Sequence, residues 1–125
     1  MRFRKPLWPL LACLAGPLMP VAHALPRHVD VVLRPGAIHE DCFPLRAHQK
    51  VQYNFELDRP GKFDLHFRRG KEVFYPIRSE SVTAQKGDYI AAVAQDYCLT
   101  WSGTKDGDTK LGYEFIVVEP GLTKP

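Results

Sequence analysis

Gln49-Lys50-Val51-Gln52-Tyr53-Asn54-Phe55-Glu56-Leu57-Asp58-Arg59-Pro60-Gly61-Lys62-Phe63-Asp64-Leu65-His66-Phe67-Arg68 alternates apolar and polar side chains over most of its length. Val51, Tyr53, Phe55 and Leu57 oppose Gln52, Asn54 and Glu56; further on, Phe63, Leu65 and Phe67 oppose Asp64, His66 and Arg68. Successive side chains of a strand point to opposite faces, so a period of two predicts two half-buried β-strands. Arg59-Pro60-Gly61 predicts a turn between them, because proline presets φ and glycine accepts a positive φ. The expectation is an antiparallel hairpin.

The same pattern continues on both sides. Residues 28–34 place Val29, Val31 and Leu33 together and end at Pro35-Gly36. After the break at Arg69-Gly70, residues 72–77 predict an aromatic strand, with Pro76 at a sheet edge or a strand end. Residues 79–84 predict another short strand, closed by a Lys86-Gly87-Asp88 turn, and residues 89–94 and 97–101 predict two more. Tyr97, Leu99 and Trp101 share one face, which directs Cys98 to the other unless a bulge near Gln95-Asp96 changes the parity. A polar loop at 103–108 precedes a last strand at 110–119, with Leu111, Tyr113, Phe115 and Val117 alternating. No mature stretch carries a helical stripe. The expectation is an all-β fold, a small antiparallel β-sandwich of seven to eight strands.

The N-terminus reads as an export signal over residues 1–24. Arg2, Arg4 and Lys5 precede a largely apolar run at 7–21, and Ala22-His23-Ala24 offers a small-x-small cleavage pattern. Residues 25–125 are then one exported domain of 101 residues in the periplasm or outside the cell. Leu10-Leu11-Ala12-Cys13 resembles a lipobox, which makes lipid anchoring at Cys13 the alternative. Pro17 and Pro20 and the short apolar run argue against a membrane helix there, and no later segment is long and apolar enough to predict one.

Removal of the leader leaves Cys42 and Cys98 as the only cysteines, and in an oxidising compartment they are expected to join. Three of the 17 Lys and Arg lie in the leader, so the 14 that remain balance the 14 Asp and Glu. That balance removes the positive field that nucleic-acid binding requires.

The second half of the chain resembles a GOLD (Golgi-dynamics) domain. The shared elements are Gly87-Asp88-Tyr89, Asp96-Tyr97-Cys98-Leu99-Thr100-Trp101-Ser102 and Leu111-Gly112-Tyr113-Glu114-Phe115, together with the earlier Cys42-Phe43-Pro44-Leu45. The resemblance implies a β-sandwich, GOLD- or jelly-roll-like, used for protein or ligand contact, with a disulfide whose partners look like Cys42 and Cys98. The coiled coil, membrane span and cytosolic tail of the family's cargo receptors are not in this sequence, so their trafficking activity is not implied.

Motifs of catalysis are sparse. Ser79, Ser81 and Ser102 have no Gly-x-Ser-x-Gly context, and phosphate-cradling glycine motifs are missing. Asp106 and Asp108 flank Gly107 without the remaining ligands of a calcium loop. His48 reads as a turn residue and His66 as a solvated strand residue. The leading expectation is a non-enzymatic exported binding or adaptor module without cofactors, contacting a protein or cell-envelope component through Arg68, Arg69, Phe74 and Tyr75. The alternative is a periplasmic metal-binding accessory protein using His28, His39, Glu40 and Asp41.

Overall fold

The computed structural model describes residues 26–121, so the leader, its cleavage site and Cys13 lie outside the described residues. Six antiparallel strands form one sheet: β1 (Arg27–Leu33), β2 (Ile38–Leu45), β3 (Lys50–Arg69), β4 (Glu72–Ile90), β5 (Gln95–Ser102) and β6 (Thr109–Val118). The all-β, antiparallel expectation is met. Among the described residues no helix is long and apolar enough to cross a membrane.

The strand count differs from seven or eight because three expected breaks, at 59–61, between 77 and 79 and at 86–88, lie inside strands, while one strand, β2, was not expected. The 20-residue β3 runs through Arg59-Pro60-Gly61 without reversing. Its first half pairs with β6, from Lys50↔Val118 to Leu57↔Leu111, and its second half with β5, from Lys62↔Ser102 to Phe67↔Tyr97. Each alternating run thus finds its own ladder partner, and neither needs to fold back on the other. The proline-glycine step survives as a bulge: β3 and β4 stay in register through Glu56↔Ala84 and resume at Gly61↔Val82. Four residues therefore stand opposite one, which bends the strand.

The 19-residue β4 follows β3 along that same path, so the segments expected as separate strands at 72–77 and 79–84 are one. Of the strand expected at 89–94 only Tyr89 and Ile90 belong to it, residues 91–94 forming the connection to β5. Gly87, expected in a turn, sits in the ladder against Tyr53, where a Cβ would come within 2.8 Å of the phenol oxygen. The strand β2 falls where the alternation predicts no strand. It pairs with β5 from Ile38↔Ser102 to Leu45↔Gln95.

In place of two separate sheets, one continuous sheet curls at the β3 bend so that the inner faces of its wings meet. One wing is β1-β6 on the first half of β3, and the other is β2-β5 on the second half. The strands β2 and β6 share no ladder, yet Phe43 and Phe115 lie 4.7 Å apart between ring centroids. Trp101 and Tyr113 are closer still, at 4.3 Å. Of the inward set read from the alternation, Leu33, Val51, Tyr53, Phe55, Leu57, Phe63, Leu65, Tyr97, Leu99, Trp101, Leu111 and Tyr113 are buried here, and Val29, Val31, Phe67, Phe115 and Val117 pack against them partly buried. Burying each large apolar side chain stabilises the fold by about 1.5–3 kcal/mol, which is how a chain this short closes a core.

Candidate functional site

Beyond Phe67 the sheet narrows to two strands, because the β3–β5 ladder ends at Phe67↔Tyr97. From there β3 and β4 continue alone as a hairpin, with Arg68 opposite Val73 and Arg69 opposite Glu72. Gly70 opens the connection at φ 64°, the positive φ that a two-residue type II′ turn demands of its first residue. Val73, Phe74 and Tyr75 are 38%, 36% and 44% exposed, since no strand of the described residues covers the outer edge of β4.

The four residues expected at the contact surface therefore meet at one hairpin, spread over its two faces. Phe74 stacks on Phe67 at 5.0 Å, with the Arg69 guanidinium 6.0 Å from its ring centre. Tyr75 lies under the Arg78 guanidinium at 4.6 Å and beside the His66 ring at 5.7 Å. Arg68 lines an open depression of about 500 Å³ with Cys42, Cys98 and His66. Arg78 is held between the Tyr75 ring and Glu80, whose carboxylate lies 3.2 Å from its Nε, whereas Arg69 lies near the Phe74 ring with no carboxylate within ion-pair distance among the described residues.

Cys42 and Cys98 stand directly opposite one another on β2 and β5 and form a disulfide. Parity holds through Gln95-Asp96: Tyr97, Leu99 and Trp101 face inward and the bridge lies on the outer face.

The expected metal ligands are divided among three places. His28 faces out from β1, with Nε2 3.0 Å from Asp30 and Nδ1 3.7 Å from Glu114, and those carboxylates, Asp30 foremost, raise its pKa above the usual imidazole value. His39 and Asp41 face inward and meet at the Tyr113 hydroxyl, at 3.0 and 2.6 Å. Glu40 points outward, with a carboxylate oxygen 3.4 Å from His66 Nε2. It also neighbours the sulfurs of Cys42 and Cys98, which are bonded to each other and offer no thiolate.

His66, read as solvated, is 4% exposed. Its place in the ladder beside Cys98, together with the neighbouring Tyr75 ring, covers it, while Asp64 meets Nδ1 at 2.7 Å. Alternation marked its face correctly. What it did not show is that the outer face carries a covering layer at that point.

No family model and no curated protein matches the chain. Among solved structures, the chain is similar to PliG of Aeromonas hydrophila, a periplasmic lysozyme inhibitor of g-type lysozyme, with a TM-score of 0.55 and 8% identity over 75% of this chain and 87% of that one. At that identity the likeness concerns the fold.

Proposed function

We propose that the protein is a non-enzymatic binding module of the cell envelope that contacts another protein through the β3–β4 hairpin. One observation carries the reading: Val73, Phe74 and Tyr75 are exposed over the two faces of a hairpin end that extends beyond the β3–β5 ladder. Large apolar groups clustered in the open are informative where single ones are not, and aromatic and arginine side chains dominate binding energies at protein interfaces. The fold supports the same reading, because the similar PliG is an inhibitor whose target is a protein. The Cys42–Cys98 bridge supports an oxidising compartment, in keeping with the signal-like leader. Membership of the GOLD-like sandwiches is part of this proposal and rests on the quoted motifs.

The test is affinity capture from an envelope extract on the immobilised protein, compared with a variant carrying alanine at Arg68, Arg69, Phe74 and Tyr75. The expected result is a protein retained by the parent and lost by the variant at unchanged thermal stability. Equal capture by both removes the hairpin as the contact surface. A cell-wall lysis assay with a g-type lysozyme asks whether the likeness to PliG reaches its target.

A further inference from the structure

We infer that the partner presents an acidic protein surface to the hairpin, an inference that rests on the binding reading above. Residues 68–78 hold four cations, Arg68, Arg69, Lys71 and Arg78, against one anion, Glu72. The other described residues hold nine Lys and Arg against 13 Asp and Glu, so the cation excess is local to the hairpin.

The hairpin cations are also scarcely neutralised from within. Among the described residues only Arg78 has a carboxylate within ion-pair distance, Glu80 at 3.2 Å; none stands that close to Arg68, Arg69 or Lys71. The opposite wing carries Asp30, Glu56, Asp58 and Glu114 around an open depression of about 620 Å³ that Lys110 and His28 also line, while Asp64 stands across the ladder from Arg78 and Asp96 shares the depression beside Arg68. A hairpin end with four cations against one anion is drawn toward an acidic surface as the two approach.

The same hairpin argues against recognition by strand addition. An added strand needs regular backbone donors along the open edge of β4, but Pro76 has none, and the ladder shifts register between Leu65 and Phe67. Contact is left to side chains: carboxylates on the guanidinium edges of Arg69 and Arg78, and apolar atoms on Phe74 and Tyr75. Arginine suits this role because its planar fork accepts a carboxylate in two parallel hydrogen bonds.

The experiment uses the purified exported protein, isotope-labelled for NMR and titrated at low salt with an oligo-glutamate peptide and separately with phosphatidylglycerol vesicles. Expected are peptide-induced shifts confined to residues 67–79, with affinity lowered about tenfold by the Arg69→Glu, Lys71→Glu pair and weakened by added salt. An Arg27→Glu, Lys86→Glu control stays within about twofold of the parent. Shifts scattered over the surface, or an unaffected charge-reversed pair, overturn the inference. Preference for vesicles at the same residues reassigns the hairpin to a membrane surface, and salt-sensitive self-association assigns it to carboxylates of a second copy; either outcome overturns an acidic partner protein. The two readings fail separately. If the Phe74→Ala, Tyr75→Ala pair abolishes capture from the envelope extract while charge reversal leaves it intact, the contact surface stands and the acidic partner falls.

Discussion

The Tyr113 hydroxyl donates to a carboxylate oxygen of Asp41 at 2.6 Å, joining β6 to β2 across the interior although the two strands share no ladder. Because that proton goes to Asp41, the hydroxyl oxygen accepts from His39 Nε2 at 3.0 Å, which fixes the imidazole tautomer. Tyr113→Phe leaves an inward carboxylate and an inward ring N–H without this partner. We expect a loss of about 1–3 kcal/mol in urea denaturation with the fold retained. An unchanged midpoint would show that the contact contributes nothing to closure of the wings.

Burial of the phenols predicts alkaline instability. It raises the pKa of Tyr53, pushes Tyr97 up to about 12, and raises Tyr113 further, with the Asp41 hydrogen bond and charge adding to burial in the last case. Above pH 10, the unfolded phenol value, the unfolded chain releases protons that the folded one keeps. Stability is therefore full below that pH and falls as pH rises, with the Tyr97 contribution lost through about 12. Urea midpoints measured at increasing pH check this, and Tyr113→Phe should flatten the decline.

His28 should titrate above the ordinary value of 6.5, because Asp30 hydrogen-bonds to it and adds a negative charge. Its stabilising contribution is present below that value and fades as pH rises through the raised one. NMR titration of the ring checks the direction, and Asp30→Asn should move the midpoint down. A midpoint indifferent to Asp30 would contradict the pairing.

Gly61 is the close point of the β3 bend: an added Cβ would lie 2.6 Å from the backbone oxygen of Ser102. A backbone neighbour held in the β3–β5 ladder has little room to yield. Gly61→Ala should cost about 1–3 kcal/mol, read from thermal or urea unfolding, whereas an unstrained position would tolerate alanine or gain from it.

The Cys42–Cys98 bridge closes a long segment, with the two residues 56 apart in sequence. Loop entropy assigns such a bridge about 4 kcal/mol, so reduction should lower the urea midpoint substantially. The bridge lies on the outer face, and replacing both cysteines by serine should therefore leave near-ultraviolet signals from the aromatic core intact in whatever fraction folds. Two freely alkylated thiols in the exported protein would contradict the pairing.

Alternation alone determined which residues of β3, β5 and β6 face inward, and it placed Cys98 on the side away from Tyr97, Leu99 and Trp101. Side-chain direction in a strand is a local property, set by a backbone period that neighbours do not alter. Tertiary structure decided the rest. Whether Arg59-Pro60-Gly61 reverses the chain or only bends it depends on β5 and β6, which lie 30 or more residues further on and offer separate ladders to the two halves of β3. Burial of His66 depends on Tyr75 and Cys98, and the division of His28, His39, Glu40 and Asp41 depends on which wing each side of β1 and β2 faces. Strand pairing and the covering of an outer face are made by distant segments, so a local pattern specifies the sides of a strand but not what lies against them.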